Sequence, residues 1–211
     1  MANNIDKDRE VVPSLLRELE QIAKKEHLPS IGPLKGRIIS DIVKKYRPIS
    51  ILEIGTLHGY SAIIMGNLLP DDGGKLITIE IDRDLANIAT KNIEKAGLSG
   101  KIKVICNDAT DVIPALDGYK FDLVFLDAIK TQYLHYLRLL EGKNLLKEES
   151  IVVADNVILY ESEMKDYLEY VRNSGDYRSQ TTETTLEFNK NVEDALEISL
   201  RSKNVSKKHD K

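Results

Sequence analysis

The chain has 211 residues, 42% of them hydrophobic, 30% charged and 6% aromatic, with no tryptophan, a composition that fits one globular domain and excludes a disordered or membrane-embedded chain. Thirty Lys and Arg against thirty-four Asp and Glu leave a formal charge of −4, without the basic excess of a dedicated nucleic-acid binder. The one cysteine, Cys106, forbids an intramolecular disulfide and a cysteine-rich metal site, and the lack of an N-terminal apolar run points to a cytoplasmic location.

Residues 5–27 place Val12, Leu15, Leu16, Leu19 and Ile22 at three- and four-residue spacings, which predicts an amphipathic helix. A turn over 28–33 separates it from a second helix that runs to Tyr46. That helix has Leu34, Ile38, Ile39, Ile42 and Val43 on one face, with Lys44, Lys45 and Arg47 near its C-terminus, where cations suit the helix dipole, and Pro48 closes it. Five short apolar runs follow, at 49–54, 75–81, 102–106, 121–126 and 151–154. Near-continuous Ile, Val and Leu in runs of this length predict strands buried on both faces, as in a parallel sheet covered by helices. Helices are predicted at 61–69, 83–96, 109–116, 132–140 and 162–173. Two further strands, 177–188 and 193–200, joined by a polar turn at 189–191, predict an antiparallel hairpin, and the lysine-rich residues 202–211 a frayed tail. The fold class expected is α/β: a doubly wound, mostly parallel seven-stranded sheet with helices on both faces, Rossmann-like, forming one domain over residues 1–201.

In open α/β sheets ligands bind beyond the carboxyl ends of the strands, and here those ends are polar. Gly55 and Gly59 follow the first strand in a G-x-x-x-G spacing that lets backbone approach a ligand ahead of a helix, although a tight strand-to-helix turn needs the same glycines with no ligand. Glu80, at the end of the second strand, adds an acceptor suited to a ribose diol. The dinucleotide fingerprint G-x-G-x-x-G is absent, Leu57 standing where its middle glycine would be, which disfavours a nicotinamide enzyme. Asp127 follows the fourth strand, and Asp155 and Asn156 follow the fifth. Either aspartate alone would serve as a helix cap, but neighbouring strands lie about 4.8 Å apart, and the three together are hard oxygen ligands suited to Mg²⁺. Lys130, three residues past Asp127, faces the same place; a nearby divalent charge would lower its pKa and allow it to act as a general base.

The runs ILEIGTLHGYSA, LITIEI, LVFLDAIK and VVADNVI, in that order and spacing, resemble the S-adenosylmethionine-dependent catechol O-methyltransferases, members of the metal-dependent class I O-methyltransferase family. The similarity extends from about Glu26 to Leu200. It implies that Glu53, Gly55, Tyr60 and Ser61 contact the methionine end of the cofactor, that Glu80, with Ile81 beside it, holds the ribose hydroxyls, and that Ala109 and Thr110 flank the adenine. It implies Mg²⁺ at Asp127, Asp155 and Asn156, with Asp127 also on the cofactor side, and Lys130 as catalytic base. Glu187 would bond the substrate hydroxyl that is not methylated, Ile31 would line the cofactor pocket, and Lys35 and Gly36 match the family's start of the second helix. The N-terminal helices would cover the substrate side.

Three positions depart from the family's substrate wall: His27 and Ile129 stand where the animal enzymes have tryptophans, and Tyr160 where a proline follows the asparagine loop. The expected activity is methylation of one hydroxyl of a catechol-like, vicinal dihydroxy aromatic small molecule, using S-adenosyl-L-methionine and Mg²⁺ or another divalent cation. A small phenolic substrate is the expected partner, with no nucleic acid and no membrane, and a homodimer is left open. Same-fold enzymes acting on a CoA-linked phenol, RNA or protein, and a non-catalytic cofactor-binding module, stay open as alternatives.

Overall fold

The structure, a computed structural model, describes residues 2–202, so the tail expected at 202–211 lies outside the described residues from position 203 onward. Seven strands, β1 Ser50–Ile54, β2 Lys75–Glu80, β3 Ile102–Cys106, β4 Phe121–Leu126, β5 Leu146–Ala154, β6 Tyr177–Leu186 and β7 Asn189–Arg201, form one sheet in the order β3-β2-β1-β4-β5-β7-β6. The first five are parallel, and β7 runs antiparallel to both β5 and β6.

The unbroken apolar runs have a direct cause: successive strand residues feed two different cores. Ile51, Leu76, Leu123, Phe125, Ile151 and Val153 pack beneath α1 (Ala2–Glu26), α2 (Gly32–Tyr46), α3 (Tyr60–Leu68) and α4 (Arg83–Lys95). Their neighbours Leu52, Ile77, Val124, Leu126, Val152 and Ala154 pack on the other face beneath α5 (Ala109–Val112), α6 (Tyr133–Gly142) and α7 (Lys165–Asn173). A sheet sandwiched in this way cannot alternate apolar with polar residues. Among the described residues, no helix is long and apolar enough to cross a membrane.

Three expectations are corrected. The helix expected over 109–116 leaves α geometry after Val112 and continues as a 3-10 turn, Ile113–Ala115, because Pro114 has no amide to donate to the helical ladder. Strand β5 begins at Leu146, five residues before the apolar run, and reaches it through an irregular register opposite Phe121 and Leu123. The β6–β7 turn is Glu187-Phe188, with Leu186 paired to Asn189, so the polar stretch 189–191 is strand. Phe188 takes the left-handed backbone (φ 58°) that a two-residue hairpin needs, a conformation no glycine announced.

Candidate active site

The chain reverses direction across the sheet between β1 and β4, and beyond the carboxyl ends of these strands lies a cavity of about 630 Å³. One wall is the turn after β1. Gly55 donates its N–H to Ile79 O (3.0 Å) at φ +97°, and a Cβ there would stand 2.0 Å from the Asp127 carbonyl oxygen. Only glycine lets the turn and the end of β4 meet so closely. Glu80 holds the turn from the side: Oε2 accepts from the amides of Thr56 (3.1 Å) and Leu57 (2.8 Å), and Oε1 from the amide of Asp82 (3.0 Å). Its carboxylate lines the cavity while organising the backbone around it.

Beneath the turn, Glu53 is fully buried and accepts from Thr78 Oγ1 at 2.6 Å, while its Oε1 has no hydrogen-bond partner. Burial pushes the Glu53 carboxyl up to about 8, against the nearby hydroxyls of Ser61 and Thr78. Glu53 does not itself line the cavity, and the group that burial leaves largely protonated would become a carboxylate acceptor only if a ligand's ammonium group came within reach of its orphaned oxygen. Ile31, Ser61, Ile81 and Ala109 line the cavity, as does Tyr60, whose hydroxyl donates to Glu20 of α1 at 2.5 Å. Thr110 does not line it: its amide and hydroxyl both turn to Asp108 Oδ1, at 2.7 Å each, and Asp108 and Asn107 take the place on the wall.

The opposite wall is acidic. Lys130 Nζ donates to Asp127 Oδ1 at 2.8 Å and to the Tyr133 hydroxyl at 3.0 Å. Burial alone would lower the Lys130 pKa, but the negative charge of Asp127, with Tyr133 and Asp155 behind it, raises it above the ordinary lysine range. Asp155 is buried at the end of β5, where burial and the charge of Asp127 raise its carboxyl against the pull of Lys35. Asn156, held at φ 64°, gives its Nδ2 to Asp194 Oδ2 (2.7 Å), which turns the amide oxygen the other way. Glu187 reaches the cavity from the β6–β7 turn, its carboxyl raised by burial against the opposing charge of Lys35. Ile129, Leu159 and Tyr160 form the mouth, with Lys130 Nζ 5.9 Å from the Tyr160 ring centre, whereas His27 is exposed and does not line the cavity.

Among the described residues no three His, Cys, Asp or Glu side chains group closely enough to hold a metal ion by themselves. The expected ligand set contains only two carboxylates, Asp127 and Asp155, completed by the Asn156 amide. All three line the cavity, and as hard oxygen donors they fit a hard divalent cation. Two participants were missing from the sequence reading in this role, Lys35 and Asp194, which are ion-paired at 2.6 Å with neither side chain exposed to solvent. The signal available was a lysine on the apolar face of a helix and an aspartate directly before the apolar pair Ala195-Leu196 in a strand.

The sequence model of the O-methyltransferase family matches residues 6–202. The chain belongs to the O-methyltransferase family. Within that family it is similar to catechol O-methyltransferase B of Danio rerio, 39% identical over 180 residues that make up 83% of this chain and 67% of that one. It is also similar to the catechol O-methyltransferase of Mus musculus, 38% identical over 179 residues, 83% of this chain and 66% of that one. The chain thus spans about two-thirds of the length of these family members. Among solved structures, the O-methyltransferase TomG of Streptomyces achromogenes, in complex with SAM, superposes with a TM-score of 0.78 at 26% identity, covering 89% of each chain.

Proposed function

We propose that the protein is an S-adenosylmethionine-dependent, Mg²⁺-dependent O-methyltransferase that methylates one hydroxyl of a catechol-like small molecule. The observation that supports this most directly is the convergence of Asp127, Lys130, Asp155, Asn156 and Glu187 on one wall of a cavity whose other wall is the Gly55–Glu80 turn. The family members named above, called catechol O-methyltransferases, point the same way.

Ser61, with the buried Glu53 beside it, would receive the methionine end of the donor, Glu80 the ribose, and Ala109 the adenine edge. When bound, S-adenosylmethionine supplies a methyl group on a cationic sulfur, and a divalent ion at Asp127, Asp155 and Asn156 supplies positive charge that eases loss of an acceptor proton. Lys130 takes that proton at Nζ. It must be neutral to do so, and its ion pair with Asp127 opposes neutrality until the aspartate's charge is shared with another cation. Lys130 and the acidic wall would hold the deprotonated acceptor oxygen toward the side of the cavity where Ser61, Glu80 and Ala109 would place the donor. Glu187 accepts a hydrogen bond from the second hydroxyl and so decides which oxygen faces the methyl group. Ile129, Leu159 and Tyr160 hold the aromatic ring and exclude water; no covalent bond to the protein is needed.

Incubation with labelled S-adenosylmethionine and Mg²⁺ should give a methylated product from a catechol and little from the matching monophenol. Equal rates on the two acceptors would refute the vicinal-diol reading. In Glu187→Gln the ratio of the two methylated isomers from an asymmetric catechol should move toward unity and the rate should fall. An unchanged ratio at an unchanged rate would remove Glu187 from the site.

A further inference from the structure

The most heavily ion-paired group in contact with this wall has no part in the chemistry above. Lys35 lies in the first turn of α2 with its side chain fully buried. Its Nζ is 2.8 Å from Asp155 Oδ1 and 3.0 Å from Asp155 Oδ2, 2.6 Å from Asp194 Oδ2 and 3.5 Å from Glu187 Oε2. One ammonium therefore spans the end of β5, the middle of β7 and the β6–β7 turn. The approach depends on Gly32, at φ +64°, where a Cβ would lie 2.7 Å from Glu187 Cβ; without a side chain there, the turn settles onto the start of α2 and Glu187 comes within reach of Lys35.

Asp194 extends the reach of this ammonium. Its Oδ2 also accepts from Asn156 Nδ2 at 2.7 Å, and its Oδ1 from the amide of Leu159 at 3.2 Å. Lys35 thus grips Asp155 directly and Asn156 through Asp194, two of the three side chains expected to ligate the cation. Asp127 is gripped separately, by Lys130. Asp127, Asp155, Asp194 and Glu187 carry four negative charges when ionised, and Lys35 and Lys130 two positive ones, leaving a deficit that one divalent cation would neutralise. A buried ammonium survives only when carboxylates surround it, so its position and theirs are fixed together.

We propose that Lys35 is a positioning residue of the metal centre: it holds Asp155 and, through Asp194, Asn156 in the arrangement that receives a divalent cation, and it draws Glu187 to the same site. The proposal rests on the metal-dependent reading above. A merely structural role, pinning α2 to the sheet, would lower stability without changing cation affinity in the folded protein. The double variant Lys35→Met/Asp194→Asn separates the two roles. It removes one charge of each sign, so the net charge of the cluster is unchanged and Asp194 is not left as a buried carboxylate without a counter-charge; what Asp155 and Glu187 lose is the ammonium that grips them.

Mn²⁺ titration followed by electron paramagnetic resonance, with saturating S-adenosylmethionine, should show cation affinity falling about 10–100-fold in the double variant, the range typical of lost support behind a metal ligand, while calorimetry shows S-adenosylmethionine affinity unchanged. The single variant Lys35→Met should melt well below the double variant, because it leaves the buried Asp194 carboxylate without a counter-charge. Should the double variant not fold, Lys35→Met/Asp194→Leu serves the same test, since apolar replacement of a buried pair is often neutral or stabilising. Wild-type Mn²⁺ affinity in a folded double variant overturns the role of Lys35 alone. No Mn²⁺ binding by the unsubstituted protein overturns the metal reading and, with it, this proposal.

Discussion

Lys130→Met is expected to slow methyl transfer by about 10²–10⁴-fold, the usual contribution of a positioned general base, with S-adenosylmethionine affinity unchanged. The lysine lies on the acidic wall, away from the Gly55–Glu80 turn, so its loss should be felt in the chemical step and not in binding of the donor. The substitution also strips the fully buried Tyr133 hydroxyl of its hydrogen bond to Nζ, a cost of about 1–3 kcal/mol that a thermal melt would register without unfolding the protein at assay temperature. The pH profile gives a second readout. Because Asp127 and its neighbours raise the Lys130 pKa despite burial, the neutral amine becomes more populated as pH rises. Wild-type rates should therefore climb with pH, and the climb should vanish in the variant. A variant that keeps the wild-type rate and profile would show that another group accepts the proton.

Gly55→Ala is expected to disable the site from the other wall. The alanine must adopt φ near +97°, a strain of about 1–3 kcal/mol for a non-glycine residue, and its methyl group would lie 2.0 Å from a backbone oxygen of Asp127, so the turn or the end of β4 has to move. Either movement separates the Glu80-held turn from the acidic wall. Calorimetric titration should show S-adenosylmethionine binding weakened or lost, together with a lowered melting temperature. Gly97→Ala is the control, since Gly97 is also left-handed (φ +71°) with nothing within 4 Å of its would-be Cβ: it should show the backbone cost alone and bind the donor normally. Normal donor binding in Gly55→Ala would mean that the close approach to Asp127 is unimportant.

The sheet was legible because burial on both faces writes itself into sequence as uninterrupted Ile, Val and Leu; β3 and β4 coincide with their apolar runs at both ends. The candidate site was legible where polar residues sit at the last position of a strand, as at Glu80, or just past it, as at Asp127 and Asp155, since polar residues abutting such runs stand out. What escaped detection has physical reasons. The Glu187-Phe188 turn uses a left-handed phenylalanine, so the polar residues after it looked like the loop. The Lys35–Asp194 pair joins residues far apart in sequence, and a lysine or aspartate shows no sign of burial until the partner that neutralises it is placed. The same holds for Asp127 and Lys130: their spacing showed that they could meet, but not that Asp127 holds the lysine charged.

Dependence of methyl transfer on a divalent cation tests the central claim most directly. With labelled S-adenosylmethionine and a catechol, product should form with Mg²⁺, cease in excess EDTA and return when Mg²⁺ is restored. Undiminished turnover in excess EDTA would contradict the account.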